Sequence, residues 1–224
     1  AGEKNFSLEY SAKKFIDDFE GRPELRHHRW MASFSDSERP LLYTPKIREV
    51  INKEVATDLL DEHLADVPGI SFENKILYLY LKTYLPNDIL VKTDRASMKT
   101  ALEVRCPFLD RRIVEFINSL PYGYKYRGLS GKYILKQLMK DKLPPSIINR
   151  PKKGFGIPLA RWLKYELRPL CEELLSPVVL RKQGIFDADM IERLKTEHYS
   201  GKKDRRKELW TLITFQLWFN RWFK

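Results

Sequence analysis

Two adjacent lysines lie in a loop whose backbone is restricted by proline and relaxed by glycine. The segment reads NRPKKGFGIPLARW over residues 149–162, with Lys152 and Lys153 between one proline and two glycines. Proline fixes φ and glycine removes the Cβ restriction, so the sequence specifies a backbone path that a merely solubilising charge does not need. A lysine ammonium is a compact charge that can meet negative charge developing on phosphate oxygens. The pattern predicts that this loop delivers an ammonium group to a phosphate.

A second group of charges precedes the loop, in NDILVKTDRASMKTALEVRCPFLDRR, residues 87–112. Asp88 and Lys92 are four residues apart, and Lys92 and Arg95 are three apart, so a helix would place them on one face. An exposed pair of this spacing contributes only about 0.3 to 0.5 kcal/mol. The spacing therefore fits an ordinary surface ion pair as well as a binding site.

Three further charged residues in this stretch have structural interpretations. Glu103 and Arg105 stand in the apolar segment that leads to Pro107, where charged residues usually hold a turn in place. Asp110 immediately precedes RRIVEF and is in position to accept hydrogen bonds as a helix N-cap. We expect these three residues to hold the backbone rather than to react.

The elements that must position these groups are predicted to be helices. Apolar residues recur at helical spacing through most of the chain and hardly any segment alternates with period two, which favours a mainly α structure. The apolar closing segment LWTLITFQLWFNRWF contains Gln216, Asn220 and Arg221, so it is interpreted as a core helix and not as a membrane anchor. The predicted helices include one from Thr44 as N-cap to Val67, one resuming after Pro86 with Asn87 or Asp88 as N-cap, one capped by Ser130 and closed by Pro144, and three near Leu159–Leu175, Asp187–His198 and Arg206–Phe223.

The charge of the chain favours anionic partners. Its 224 residues include 41 Lys and Arg against 30 Asp and Glu, a formal charge of +11. Residues 122–168 hold twelve basic and two acidic residues, so most of the excess is local. Lys136, Lys140 and Lys142 fit a solvated helix face. A basic helical module that binds nucleic acid or acts as a scaffold therefore stays open as a second class of function.

The remaining chemistry-bearing residues indicate a reducing location and no metal. Cys106 and Cys171 are too few for a disulfide framework and lie in apolar surroundings, which predicts buried thiols in a cytoplasmic protein. The four histidines lack companion cysteines at ligand spacing, so we expect no metal site. No secretory signal or membrane-spanning run is present in the sequence.

Three blocks of the sequence resemble the C-terminal part of the glutamine-dependent asparagine synthetase family. They are YLPNDILVKTDRASMKTALEVRCPFLD, GKYILKQLMKDKLPPSIINRPKKGFGIPLARWL and LWTLITFQLWFNRWF. The resemblance assigns residues 84–224 to the C-terminal part of the synthetase domain and residues 1–83 to a variable helical segment before it. It implies the helical portion of an α/β domain of the ATP-pyrophosphatase type, which is similar to adenine nucleotide alpha hydrolases.

The resemblance also implies a reaction. ATP adenylates a carboxylate, expected to be aspartate, with release of pyrophosphate, and ammonia from glutamine then displaces AMP to leave an amide. Lys152 matches the family's synthetase-site lysine, with Lys153 as the alternative if the register shifts by one. Asp88 and Lys92 line up with an acidic and basic pair near the acceptor site, and Arg95 joins them as a substrate-binding residue. The implied cofactors are ATP and Mg²⁺.

Several family motifs are absent from this sequence. Position 1 is Ala1 and not a catalytic cysteine, and neither the Ser-Gly-Gly-x-Asp-Ser pyrophosphate loop nor the acidic Ser-Gly-Glu/Asp-Gly-x-Asp-Glu loop occurs. We therefore expect a C-terminal fragment that is inactive alone and whose main partner is the missing N-terminal part, with ATP and Mg²⁺ bound mainly there. A homodimer is compatible with the resemblance, whereas nucleic acid and membrane partners are not expected. The third hypothesis for the function is a member of the same family that amidates a different carboxylate.

Overall fold

Helices make up most of the computed structural model, which describes residues 22–51, 55–151 and 156–223, without the side chains of residues 55–58. The expectation of a mainly α chain is confirmed. The α-helices are α1 Arg26–Met31, α2 Arg39–Leu42, α3 Pro45–Val50, α4 Val55–Ala65, α5 Phe72–Lys82, α6 Val91–Met98, α7 Arg111–Ser119, α8 Tyr122–Lys125, α9 Tyr133–Leu138, α10 Pro145–Ile148, α11 Leu159–Lys164, α12 Arg168–Leu174, α13 Pro177–Gln183, α14 Ala188–Ser200 and α15 Arg206–Trp222.

Short elements connect some of these helices. Two 3₁₀ turns span Pro23–Leu25 and Pro107–Leu109, and a π-helical turn spans Leu85–Leu90. Strands β1, Tyr126–Arg127, and β2, Ser130–Gly131, pair in antiparallel register. The chain divides into two compact units, one of Ala1–Asp58 with Phe155–Lys224 and one of Leu59–Gly154. They are called the first and second unit below.

The first unit has a continuous apolar core contributed mainly by α11 to α15. The two longest of these helices, α14 and α15, present apolar residues to this core every three or four positions, the spacing that places side chains on one helix face. The closing segment forms α15 as predicted. The core residues are Leu42, Leu163, Cys171, Leu174, Leu175, Leu180, Phe186, Ala188, Met190, Ile191, Leu194, Leu209, Leu212 and Ile213.

Local signals set the ends of the helices in the first unit. The Asp187 carboxylate accepts a hydrogen bond from the backbone N of Met190 at 2.8 Å and caps α14. Helix α13 ends at Gly184 with φ of +70°. A Cβ at this position would meet nothing within 4 Å, so glycine is required by the backbone conformation and not by a close approach.

The chain around Thr44 pairs with the segment between α13 and α14. Thr44 donates its backbone N–H to the Ile185 carbonyl at 3.0 Å, and Asp187 donates its own to Leu42 at 2.9 Å. Thr44 occupies the predicted N-cap position of α3, but its hydroxyl donates to the Gly184 carbonyl at 2.8 Å instead of capping the helix. A tertiary contact thus uses the side chain that the local pattern assigned to the helix end.

The second unit buries little apolar surface. Among its described side chains, Leu64 and Leu79 are the buried hydrophobic residues. Asn87 and Asp88 are not N-caps, contrary to the prediction, because they lie inside the π-helical turn that leads into α6. Pro86 stands in the first turn of that element, where its missing N–H removes no helical hydrogen bond. The backbone therefore stays helical past the proline.

Three other predicted helices are shorter than expected. The one predicted from Thr44 is described as α3 and α4, with residues 52–54 outside the described part. Ser130 is not a cap, because Gly128 at φ of +61° turns the chain into a hairpin and places Ser130 in β2. The helix predicted near residues 159–175 is divided into α11 and α12, whose first turn contains a proline.

The two cysteines differ in exposure. Cys171 is buried, as predicted, whereas Cys106 is exposed, so the prediction of a buried thiol was wrong there. The apolar residues around it, including Val104 and Phe108, are themselves exposed, so they do not cover the thiol. In the part of the chain that the structure describes, every helix is too short or too polar to cross a bilayer.

Candidate functional site

A cleft of about 590 Å³ lies in the second unit, between α6 and the extended elbow that leads into α7. The α6 side carries two hydroxyls and a carboxylate, and the elbow side carries an arginine, a thiol and a second carboxylate. The cleft is lined by Leu90, Thr93, Asp94, Ser97, Val104, Arg105, Cys106, Pro107, Leu109 and Asp110.

The α6 wall presents mainly hydrogen-bond acceptors. The Thr93 hydroxyl donates to the Ile89 carbonyl at 2.8 Å, and the Ser97 hydroxyl donates to the Asp94 carbonyl at 3.0 Å. Because these hydroxyl protons are directed to the backbone, their oxygens remain available as acceptors beside the Asp94 carboxylate. This wall is suited to a ligand group that donates hydrogen bonds or carries positive charge, such as an ammonium.

The elbow wall is held by local ion pairs. Arg105 Nε donates to Glu103 Oε1 at 2.6 Å, so these two residues pair with each other across one position. Asp110 accepts from the backbone N of Arg112 at 3.0 Å and from its Nε at 3.1 Å, which places it at the N-cap of α7. The hydrogen bonds from the Arg112 side chain and backbone lower the pKa of the Asp110 carboxyl.

The cleft is not lined by the acidic and basic residues predicted from the sequence, Asp88, Lys92 and Arg95. Lys92 Nζ lies 3.7 Å from Asp88 Oδ1, and the two side chains are 65% and 50% exposed. At about 100° per residue, Lys92 and Arg95 lie roughly opposite the cleft face of α6, and Asp88, in the π-helical turn before it, does not line the cleft either. The structure brings Asp94 to the cleft instead. Helical steps of three, four and seven residues from Leu90 give Thr93, Asp94 and Ser97, and would have indicated this residue.

The loop lysines Lys152 and Lys153 lie outside the described residues. Part of the basic stretch before them is used inside the second unit. Lys125 Nζ donates to Asn74 Oδ1 and Lys136 Nζ to Ser130 Oγ, both at 3.0 Å.

The aromatic residues of the hairpin region are also engaged within the unit. The Arg127 guanidinium lies 5.4 Å from the centre of the Tyr133 ring and donates to its hydroxyl at 3.2 Å. Tyr122 stacks on Tyr126 with ring centroids 6.1 Å apart. These rings are therefore occupied by neighbours from the same chain, which limits the surface they offer to stacked bases.

Metal ligands are not grouped in the part of the chain that the structure describes. Within residues 22–51, 55–151 and 156–223, no three His, Cys, Asp or Glu residues come together as ligands for one ion. The cleft brings two carboxylates, Asp94 and Asp110, but Asp110 already accepts hydrogen bonds from Arg112. The donor set of the cleft therefore does not fit a resident metal site.

Comparison with known proteins adds a family match and several relatives. The family described as asparagine synthase matches residues 3–220. "Asparagine synthetase [glutamine-hydrolyzing] 1" of Bacillus subtilis is 28% identical over 161 residues, which are 72% of this chain and 25% of the relative. A "Putative asparagine synthetase [glutamine-hydrolyzing]" of Mycobacterium tuberculosis is 32% identical over 163 residues, with the same two shares.

A more distant relative carries a different name. "Amidase chry2" of Gibberella zeae is 29% identical over 117 residues, which are 49% of this chain and 17% of the relative. The chain spans about a quarter of the length of the bacterial synthetases described above. No solved structure matches it.

Proposed function

Because this chain belongs to the asparagine synthase family, we propose that it forms the helical C-terminal part of the synthetase domain in an ATP-dependent amide ligase. The parent protein adenylates the carboxylate of aspartate with release of pyrophosphate, and ammonia derived from glutamine displaces AMP. The observation that carries the proposal is the family match over residues 3–220, which includes both the cleft and the lysine loop. Residues 84–224 are the proposed C-terminal block, and residues 1–83 the variable segment before it.

The proposed parent has the α/β fold of ATP-pyrophosphatases, and this chain contributes helices to it. The chain alone is inactive, because the sequence contains neither the pyrophosphate loop nor the acidic loop expected of the family. ATP and Mg²⁺ are bound mainly by the remainder of the parent. The two free cysteines support a reducing, cytoplasmic location.

The proposed roles of the residues follow their charges. The Lys152 ammonium neutralises negative charge on the departing pyrophosphate, with Lys153 as the alternative in the adjacent register. Asp94 binds a positively charged group of the acceptor, a role that the acceptor oxygens of the α6 wall support. Asp88 with Lys92 and Arg95 remains the acidic and basic group suggested by the resemblance, and its exposed position offers it less surrounding surface for a ligand.

The experiment measures pyrophosphate release by the parent protein supplied with ATP, Mg²⁺ and aspartate. We expect Lys152→Ala to lower kcat by roughly 10²- to 10³-fold, the range for losing one preorganised group that stabilises developing charge. Lys153→Ala is the matched comparison, because it removes the same charge from the adjacent position, and a loss confined to this variant would assign the role to Lys153. Unchanged kcat in both variants would refute the role of the loop.

The same assay compares two aspartates that differ in position. Asp94→Asn is expected to raise KM for aspartate, while Asp88→Asn, which lies outside the cleft, leaves it unchanged. The reverse result would return the role to Asp88.

A panel of other carboxylates tests which acceptor is amidated, a question that the relation to an amidase leaves open. The nucleic-acid alternative is disfavoured by the internal pairing of Lys125, Arg127 and Lys136.

A further inference from the structure

Helices α5 and α6 are joined by the π-helical turn Leu85–Leu90, so the backbone is helical through most of residues 72–98. A π-helical turn closes its hydrogen bonds between residues i and i+5, one residue further than an α-helix, and such turns are frequent at functional sites. The residues that follow it are therefore rotated by about one residue, or roughly 100°, relative to an unbroken α-helix.

Helix α5 is the fixed end of this run. Leu79 is completely buried, and the Tyr78 hydroxyl donates to Asp66 Oδ2 at 3.1 Å. One turn earlier, Asn74 Oδ1 accepts from Lys125 Nζ at 3.0 Å. Because these contacts hold the orientation of α5 about its own axis, the π-helical turn decides which face of α6 meets the cleft.

Pro86 supplies the physical reason for the wide turn. In an unbroken α-helix its ring would clash with the carbonyl of Lys82, four residues earlier, and a wider turn relieves that clash. A threonine stands at each end of the turn, and its hydroxyl donates to the carbonyl four residues before it, at 2.6 Å for Thr83 and 2.8 Å for Thr93. Hydroxyl bonds of this kind favour departures from regular helix geometry. The sequence thus specifies the irregular turn.

The turn sets the sign of the charge on the α6 wall of the cleft. The residues of this wall are Leu90, Thr93, Asp94 and Ser97. In an unbroken α-helix, each cleft position would be taken by the preceding residue. The position of Thr93 would pass to Lys92, and that of Asp94 to Thr93. An ammonium would then replace a carboxylate on this wall.

We propose that Pro86 is a positioning residue for acceptor binding, because the π-helical turn that it enforces directs Asp94 into the cleft and keeps Lys92 out of it. Lys92 stays outside the cleft, with its Nζ 3.7 Å from Asp88 Oδ1. With Asp94 in place the wall attracts the amine of the acceptor, whereas Lys92 in the cleft would repel it. The effect on the reaction rests on the proposed function, but the orientation of α6 is a property of this chain alone.

The thiol of Cys106 can report the charge of the wall. Cys106 lines the cleft and is exposed, whereas Cys171 is buried. The measurement compares the rates at which a cationic and an anionic methanethiosulfonate reagent label Cys106 in this chain, read by mass spectrometry. For Pro86→Ala we expect the ratio of the cationic to the anionic rate to fall at least about five-fold, because a positive charge replaces a negative one nearby. Asp94→Asn only removes the negative charge and should lower the ratio by less.

Deletion of Asn87 provides a rescue. Asn87 is exposed, and removing one residue compensates for the narrower turn, so Pro86→Ala combined with this deletion should return α6 to its orientation in a regular helix. We expect the labelling ratio of the wild-type chain to return with it. Pro145→Ala, in the first turn of α10, is the control and should leave the ratio unchanged. An unchanged ratio in Pro86→Ala, or a changed ratio that the deletion does not restore, would overturn the proposal.

Kinetics of the parent protein give a second readout. Pro86→Ala should raise KM for aspartate as Asp94→Asn does, and combining the two should cause little further change, because the carboxylate has already left the cleft. Additive effects on KM would overturn the proposal.

The labelling result does not depend on catalysis. If the ratio changes and is rescued as expected, but the parent releases no pyrophosphate with aspartate, the proposed reaction fails and the role of Pro86 in orienting α6 stands. An active parent whose KM is unchanged by Pro86→Ala would overturn the role of Pro86 and leave the proposed reaction standing.

Discussion

At the scale of single residues, the most constrained side chain in the first unit is Arg205. Its guanidinium is almost completely buried and donates to Glu38, Glu197 and Glu208 at 2.7, 2.7 and 2.9 Å. Its backbone N–H donates to His198 Nδ1 at 3.2 Å, which leaves Nε2 of that imidazole to donate to the Ala160 carbonyl at 3.0 Å. One cation thus links α14, α15 and the turn before α2.

We predict that Arg205→Met destabilises the chain by about 3 to 5 kcal/mol, because it leaves partly buried carboxylates without their cation. Urea denaturation followed by circular dichroism measures the loss. Arg181→Met is the matched control, since that side chain is 72% exposed and lies 3.7 Å from Asp189. It should cost less than about 1 kcal/mol. Equal effects of the two substitutions would contradict the central role of Arg205.

The wild-type chain and Arg205→Met are also expected to differ in how their stability depends on pH. Burial raises the pKa of the Glu38 carboxyl, but the hydrogen bond and charge of Arg205 outweigh it and bring the net pKa below the ordinary value of 4.5. A lowered carboxyl pKa contributes stability above the unfolded pKa, and this contribution is lost as pH falls through the folded value. The wild-type urea midpoint should therefore fall more steeply below about pH 4.5 than that of Arg205→Met. Parallel pH curves would show that Arg205 does not set this titration.

At the scale of elements, capping residues decide where helices begin. Asp187 caps α14 through the backbone N of Met190, whereas Asp189 lies in the first turn with its side chain 93% exposed. We predict that Asp187→Ala costs about 1 kcal/mol in unfolding free energy, the usual value for an N-cap. Asp189→Ala removes the same charge without the cap and should cost clearly less. A difference within experimental error between the two would exclude the cap as the source of stability.

At the scale of the whole molecule, the two units differ in what holds them. The first unit has a continuous buried core, while the described side chains of the second bury little beyond Leu64 and Leu79. Regions with few buried apolar contacts open at lower free energy. We therefore predict, for this chain alone, slow hydrogen exchange in α14 and α15 and fast exchange in α7.

Mass spectrometry of peptides from α7, with peptides from α14 as the internal reference, measures this difference in exchange. Equally slow exchange in α7 and α14 of the isolated chain would contradict the difference between the units.

Predictability from sequence followed the range of the interaction. The start of a helix at Asp187 and the helical period of α15 depend on neighbours within one or two turns, and both were predicted from the residues. The hydroxyl of Thr44 was not predictable, because its partner is a carbonyl 140 residues away. The hairpin at Gly128 was missed because glycine permits a positive φ without requiring it.

The candidate site divides in the same way. The family blocks and the lysine loop are properties of the linear sequence, since residue identity and order carry them. Which side of α6 meets the cleft depended on where the elbow packs, and this brought Asp94 to the cleft and left Asp88 outside it. By itself the sequence determined the helical class, the family and the charged groups that could act. Only the tertiary structure decided which helix faces are packed against other residues and which are exposed, because burial depends on residues distant in the chain.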